Sequence, residues 1–418
     1  MKLSPLSAAP VLLLASSAAF AQAPAVNPAP APVAAPAPVA APAPAAPAAV
    51  DATAPAPVAA PVEVLPPPTV PEIVLAPKLG ILKDGWWQPG ATLQFWAFGA
   101  NQGGDTQTTL RLRRAELKIK GEVIPKLLGF NVMIDPARAL ENNRSTLSVT
   151  GSDGSTTGSV SVNNQGNITI LQDFGVTLMS EYADVTVGQF KIPVSYEGSS
   201  SSTKLLFPER AVVSRRFGDQ RDIGIKVEKK IGKHFYYQAA VFNGEGQNKT
   251  DSNTQKDLAA RFEIYPVDGV MVGLVGYTGI TSRGTSPTKD RLEADFRLDL
   301  ANVLLQAEYI HGWDGATGQA MPRGESAGVY AMLGYTFMNK LQPVFRIGHY
   351  DPDVHQDLQG KVGERTTLPT GDEVTTYDLG LNYYLRSDNA KVQVAWSKYV
   401  YKSEPNRGEL IIAAQAAF

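Results

Sequence analysis

The chain has no cysteine among its 418 residues, so a disulfide framework cannot stabilise it. It also lacks an apolar run of the ~20 residues that a membrane-spanning helix needs. Its hydrophobic content of 44% and its mean hydropathy of -0.12 are lower than a helical protein with several membrane spans would show. If the protein lies in a membrane, its spanning segments are not helices.

An excess of charge of either sign is missing as well. Three of the 40 acidic residues and one of the 38 basic residues precede residue 78, so the rest of the chain carries 37 of each. A nucleic-acid-binding domain needs a basic excess to neutralise phosphates. Nucleic acid is therefore not a predicted partner.

Signatures of metal, cofactor or nucleotide binding are also lacking. The sequence has no Gly-rich phosphate loop, nucleophile elbow or zinc signature. Its four histidines show no spacing typical of metal ligands. They are His234, His311, His349 and His355. We predict no metal site and no cofactor.

The N-terminus resembles an export signal. Lys2, the apolar residues 8–20 and the small-residue site at Ala19 and Ala21 predict a secretory signal peptide over residues 1–21. Residues 22–77 are dominated by Ala, Pro and Val, which disfavour a helix or a sheet ladder. We interpret this segment as a disordered periplasmic linker. The alternative is an arm that contacts the cell wall and tethers the envelope.

Alternation of apolar and polar residues dominates residues 78–418. In residues 291–300, Leu292, Phe296 and Leu298 fall on one face and Arg291, Glu293 and Asp295 on the other. Repeated without helices, this pattern predicts a sheet closed on itself, with apolar residues outside and polar residues inside. The predicted fold class is all-β, a transmembrane antiparallel β-barrel in the bacterial outer membrane, with outer-membrane lipid and lipopolysaccharide as partners.

About sixteen segments carry this alternation, an even number, as a single-chain bacterial barrel requires. Short and long connections follow one another in strict alternation, as short periplasmic turns and long outer loops do. The predicted strands are 91–100, 107–122, 127–135, 168–180, 183–190, 221–230, 234–242, 256–265, 270–277, 288–300, 303–313, 326–337, 341–350, 373–385, 390–401 and 409–418.

Three details refine this prediction. Leu110 and Leu112 share one phase of the alternation, whereas Leu117 and Ile119 take the other, so we predict a β-bulge near residues 113–115. The chain ends on an amphipathic strand that closes with Phe418, which resembles the recognition signal of outer-membrane assembly. Aromatic residues at strand ends suit interfacial girdles. They are Trp86, Trp87, Trp313, Tyr335, Phe337, Tyr350, Tyr399 and Tyr401.

At the level of motifs, the chain resembles the phosphate-selective porin O and P family. The resemblance covers most of residues 80–418. Its carriers are 111–121 (RLRRAELKIKG), 129–135 (GFNVMID), 188–193 (GQFKIP), 206–210 (LFPER) and 241–244 (VFNG). The resemblance implies a sixteen-stranded homotrimeric channel whose third long loop, here 191–220, folds into the lumen and narrows it.

Family members named for phosphate use arginine and lysine at and above this constriction. The resemblance implies that the matching anion-binding residues are Arg111, Arg113, Lys191, Lys204, Arg210, Arg215 and Arg216. Loop 191–220 holds five basic residues against Glu197, Glu209 and Asp219, a local positive excess. The lumen wall carries both signs, with Arg261, Arg291, Arg297 and Arg346 facing several carboxylates.

We therefore predict a water-filled, weakly anion-selective channel for small hydrophilic solutes, with phosphate or similar anions implied by the resemblance. Arginine suits an anion because its planar fork meets oxygen atoms in pairs. Two alternatives stay open. The arginines could serve only to salt-bridge the loop to an acidic wall, or the protein could be chiefly an envelope tether. An outer-membrane enzyme is disfavoured, because such enzymes use smaller barrels with Ser/His or Asp/His groups.

Overall fold

The computed structural model describes residues 78–81, 84–140, 144–150, 156–163, 170–280, 288–314, 324–355 and 372–418. The predictions of a signal peptide over 1–21 and of a linker over 22–77 lie outside these residues. No helix in the described part of the chain combines the length and the hydrophobicity needed to cross a membrane.

Strands make up most of the described chain. They are β1 (Leu79–Ile81), β2 (Gly85–Gln102), β3 (Asp105–Ile124), β4 (Leu128–Ile134), β5 (Arg144–Thr150), β6 (Thr156–Asn163), β7 (Leu171–Leu178), β8 (Asp184–Lys191), β9 (Arg221–Ile231), β10 (Phe235–Phe242), β11 (Asp257–Ile264), β12 (Val270–Ile280), β13 (Thr288–Leu300), β14 (Val303–Asp314), β15 (Gly324–Tyr335), β16 (Leu341–Asp351), β17 (Val374–Arg386), β18 (Ala390–Tyr401) and β19 (Arg407–Ala417).

Sixteen of these strands form one closed antiparallel barrel. Each pairs with its neighbour along the chain, β4 pairs with β7, and β19 pairs with β2 to close the cylinder. The predicted fold class and all sixteen predicted strands are confirmed. The sequence prediction missed three strands, namely β1, a short strand beside β2, and β5 and β6, a separate hairpin within the connection from β4 to β7. β5 and β6 are rich in Ser and Thr, and each has only two apolar residues in alternation, which is too short a pattern to predict a strand.

The barrel is apolar outside and polar inside. Leu274 and Leu292 are more than half exposed on the outer face, whereas Glu293 and Glu308 are almost completely buried inside. Such an inversion suits a cylinder surrounded by hydrocarbon and filled by polar groups. The predicted bulge is also present, because Gln94 pairs with Arg114 and Phe95 pairs with Leu112, which leaves Arg113 as an extra residue.

The aromatic residues divide between the two faces. Tyr335 and Phe337 are exposed on the outer face, as an interfacial girdle requires. The prediction was wrong for Tyr350, which is completely buried and packs edge-to-face against Phe217 with ring centroids 5.9 Å apart. Tyr350 occupies an inward phase of β16, so it packs against the inner loop rather than against lipid.

The connection between β8 and β9, residues 192–220, lies inside the barrel and contains the helices of the lumen. They are α1 (Tyr196–Ser199), a 3-10 helix (Ser202–Lys204) and α2 (Val212–Phe217). We call residues 192–220 the inner loop.

Candidate pore constriction

One side of the inner loop is apolar and packs against the barrel wall. Phe207, Val213 and Phe217 are buried in a hydrophobic cluster that includes Tyr330 and Tyr350 on the wall. Through α2, the loop contacts β14, β15 and β16. This packing fixes one side of the loop against β14, β15 and β16.

Two buried carboxylates of the wall hold the start of α1. Glu293 accepts hydrogen bonds from the backbone N–H groups of Ser195 at 2.6 Å and Tyr196 at 3.2 Å. Glu308 accepts from the Ser195 hydroxyl at 2.6 Å and from the Glu197 N–H at 2.6 Å. The unpaired N–H groups at a helix start are a favourable partner for negative charge. The acidic wall therefore binds the loop through its backbone.

Basic and amide side chains hold the rest of the loop. Arg346 donates to the Glu209 carbonyl at 3.1 Å and pairs with Glu197 at 3.4 Å. Lys391, whose side chain is completely buried, donates to the carbonyls of Thr203 and Leu205, each at 2.8 Å. Anchors on β13, β14, β16 and β18 thus position the loop across the lumen.

The other side of the loop faces a cavity of about 460 Å³. Its lining runs from Arg138, at the long-loop end of the barrel, to Lys120, at the short-turn end. Eight basic residues line it against four acidic ones, Glu116, Asp135, Asp173 and Asp219. We name this cavity the basic passage after the eight, which are Arg113, Arg114, Lys118, Lys120, Arg138, Lys191, Arg210 and Arg221.

The basic residues that border the loop are held by specific partners. Arg210 donates to the carbonyls of Glu197 and Ser200, each at 2.9 Å, and pairs with Asp219 at 3.2 Å. Lys191 donates to the Ser200 carbonyl at 2.7 Å. These bonds hold the side chains of Arg210 and Lys191 in place beside the passage.

An ion-pair bridge joins the wall to the loop at Glu209. Arg113 lies 2.8 Å from its carboxylate, and Arg215 pairs with the second oxygen. Burial opposes the ionisation of Glu209, but the charges of Arg113, Arg215 and Arg114 outweigh it and lower the pKa of Glu209 to about 2. This carboxylate is therefore ionised throughout the physiological range.

Two further arginines line the basic passage. Arg221 pairs with Asp173 at 2.7 Å, and Arg138 lies 3.7 Å from Asp135. Burial, followed by the positive charge of Arg221, lowers the pKa of Arg138. Both side chains line the same cavity.

The structure distributes the seven residues implied by the resemblance over several places. Arg113, Lys191 and Arg210 line the basic passage. Arg111 lies over the Trp96 ring at 4.8 Å, and Arg216 lies over the Tyr350 ring at 5.6 Å. Arg215 joins the Glu209 bridge, and Lys204 lines a separate cavity of about 360 Å³.

The four wall arginines lie in barrel strands, and each pairs with at least one carboxylate. Arg261 pairs with Glu263 at 2.6 Å and with Asp295 at 2.8 Å. The other three arginines each pair with one aspartate. Arg291 lies 2.9 Å from Asp314, Arg297 lies 3.0 Å from Asp299, and Arg346 lies 2.7 Å from Asp378.

In the described part of the chain, the ion pairs of Arg210 and Arg215 differ from the alternative in which loop arginines salt-bridge to an acidic wall. Arg210 and Arg215 bond to groups of the loop itself, whereas Arg113 and Arg346 of the wall pair with loop carboxylates. The direction of these ion pairs is thus the reverse of the one considered from the sequence.

Sequence reasoning missed five basic lining residues, Arg114, Lys118, Lys120, Arg138 and Arg221. The sequence does contain a signal for Arg114. The predicted β-bulge near residues 113–115 places two neighbouring side chains on the same face of the strand. Arg221 shares its phase of β9 with the exposed Ile225, so alternation alone assigns it to the outer face, and Arg138 lies in the 3-10 helix Pro136–Leu140. No periodicity marks Arg138, so only the folded connection reveals it.

A closed sixteen-stranded barrel with an apolar exterior, a polar lumen and an inward loop is the architecture of an outer-membrane channel of the porin type. The family model for phosphate-selective porin O and P matches residues 93–281. The predicted resemblance to this family is confirmed, and together with the barrel it places the protein in the bacterial outer membrane.

Solved porin structures share the fold. The anion-selective porin from Comamonas acidovorans is 11% identical with a TM-score of 0.53, covering 80% of this chain and 100% of its own. The outer membrane channel DcaP of Acinetobacter baumannii is 10% identical with a TM-score of 0.57, covering 82% and 100%. OmpF of Salmonella typhi is 12% identical with a TM-score of 0.54, covering 81% and 100%. No curated protein matches the sequence significantly.

Proposed function

We propose that this outer-membrane channel conducts small hydrophilic solutes through the basic passage, with a weak preference for anions, and has no catalytic role. The lining of eight basic against four acidic side chains carries the proposal. Charges beside a narrow aqueous path with low-dielectric walls focus their field on the path. Anions are therefore concentrated in the passage and cations are depleted.

Acidic residues elsewhere in the lumen explain why the preference is weak. Arg261 alone faces three wall carboxylates, Glu263, Glu293 and Asp295, so the wall opposes the field of the basic passage. Asp173 and Asp219 partly cancel Arg221 and Arg210 within the passage itself. Phosphate and small carboxylates suit the arginine side chains, which can bind oxygen atoms in pairs.

Reversal potentials in a planar bilayer test the sign of selectivity. The mature chain is reconstituted with a tenfold KCl gradient, and zero-current voltage gives the ratio of chloride to potassium permeability. We expect chloride to be favoured. A potential of the opposite sign would end the proposal of an anion preference while leaving a channel in place.

We also propose a homotrimer. One similar structure, OmpT of Vibrio cholerae, was solved in a trimer form, at 10% identity and a TM-score of 0.50. Mass measurement of the detergent-solubilised protein, before and after heating, tests this point. Conductance steps in groups of three support it, and a monomeric mass with single steps contradicts it.

A further inference from the structure

A bulge in β3 changes which side chains reach the lumen. In a regular strand, neighbouring residues face opposite sides of the sheet, so two consecutive arginines cannot both point inward. Here Arg113 is the extra residue between the pairs Phe95–Leu112 and Gln94–Arg114. Arg113 and Arg114 consequently both line the basic passage, while Leu112 stays on the outer face.

Specific contacts hold both guanidinium groups at this height of the pore. The Arg113 Nε donates to Glu209 Oε1 at 2.8 Å, and its guanidinium lies over the Trp96 ring at 5.3 Å. The Arg114 Nη1 donates to Gln94 Oε1 at 2.5 Å. Trp96 is completely buried, and its ring packs beside the bulge.

The backbone around the bulge is also satisfied by a side chain. The ladder between β3 and β4 begins only at Leu117 and Ile134, and just before it the Ala115 N–H donates to Asp135 Oδ1 at 2.8 Å. Asp135 also accepts from the Ala137 N–H at 3.3 Å and lies 3.7 Å from Arg138. One carboxylate therefore supports the bulge and positions a third arginine beside it.

We propose that this β-bulge determines ion selectivity, because it brings two consecutive arginines of β3, rather than one, to the basic passage. The inference rests on the proposed anion preference. Bulges re-aim side chains and are found beside functional sites. Here the bulge adds one positive charge without lengthening the ladder to β2, and Glu209 connects that charge to the inner loop.

Two single-residue deletions separate this proposal from a merely tolerated irregularity. Deletion of Arg113 leaves Arg111, Leu112, Arg114 and Ala115 in regular in-out alternation. Deletion of Leu112 gives the same strand length but puts Arg113 on the lipid face, where a charged side chain is strongly disfavoured. We expect the first variant to fold as well as the wild type. We expect the second to lose about tenfold or more of its folded yield.

Reversal potentials then measure the contribution to selectivity. With Arg113 deleted, or changed as Arg113→Gln, the ratio of chloride to potassium permeability should fall about fivefold. That is the effect of a unit charge about 8 Å from the ion in water, acting with opposite sign on the two ions. Folded yield is read from the heat-dependent shift on detergent gels.

The outcomes are distinguishable. An anion-selective wild type with an unchanged ratio in both Arg113 variants overturns the role of the bulge. Equal folded yields for the two deletions overturn the assignment of Arg113 as the extra, lumen-facing residue. A wild type without anion preference overturns the proposed function first, and with it the inferred role of the bulge.

Discussion

Replacing Arg138 should weaken anion selectivity, whereas replacing Arg216 should not. Both arginines lie in loop segments rather than in barrel strands, so neither change threatens the fold. Arg138 lines the basic passage, and Arg216 is an exposed residue of α2 beside Tyr350. The two variants, Arg138→Gln and Arg216→Gln, lose the same charge and form a matched pair.

The magnitude follows from Coulomb's law. A unit charge about 8 Å from an ion changes its energy by ~0.5 kcal/mol in water and by ~2 kcal/mol at an effective dielectric constant of 20. For the proposed aqueous passage the lower value applies, and it acts with opposite sign on chloride and potassium. The permeability ratio should thus fall about fivefold for Arg138→Gln, because ~1.4 kcal/mol corresponds to tenfold.

Arg216→Gln should change the ratio less than about twofold, because Arg216 does not line the basic passage and exposed charges are screened over ~10 Å at 0.1 M salt. Reversal potentials in 0.1 M and 1 M KCl measure both variants. An Arg216→Gln effect equal to that of Arg138→Gln would refute the assignment of the passage, since position would then be irrelevant and only net charge would count.

Three other predictions concern the loop and the barrel. Changing Lys391 to Met removes the hydrogen bonds to the carbonyls of Thr203 and Leu205. The inner loop should then fluctuate more, and the noise of the open-channel current should increase. Current noise equal to that of the wild type would contradict the role of Lys391 as an anchor. The pKa of Glu209 is lowered to about 2. Its ion pairs with Arg113 and Arg215 therefore stabilise the folded protein fully above pH 4.5, the ordinary pKa of a glutamate, and this stabilisation is lost only as the pH falls through about 2. A single-channel series should therefore show no Glu209-dependent change from pH 7 to pH 5, judged against Glu209→Gln. Gly188→Ala places a Cβ in collision with the Phe174 carbonyl oxygen at a φ of 147° and should lower folded yield, whereas the control Gly276→Ala meets open space and should not.

The sequence was sufficient to predict the barrel because its strands carry a strong period of two. Residues such as Leu292 and Glu293 alternate over a whole strand, and the surrounding hydrocarbon and the polar lumen select the same register. Even the bulge was predictable, since Leu110 and Leu117 lie in opposite phases.

The constriction was less predictable, because a loop has no period that assigns its side chains to one face. Which of Arg210, Arg215 and Arg216 borders the passage depends on how α1 and α2 dock against the wall. That docking uses backbone N–H groups and carbonyls, which every sequence provides, as in the contacts with Glu308 and Lys391. Composition alone could not identify these contacts.

The absence of cysteine makes a direct test of a water-filled lumen possible. Ser199 faces the basic passage, and Leu274 lies on the outer face of β12. Single variants Ser199→Cys and Leu274→Cys, reconstituted in bilayers, are treated with a charged thiol reagent that does not enter hydrocarbon. Modification of Ser199→Cys should reduce the single-channel current, and Leu274→Cys should not react. Reaction at position 274 with none at position 199 would contradict a barrel that has solvent inside and lipid outside.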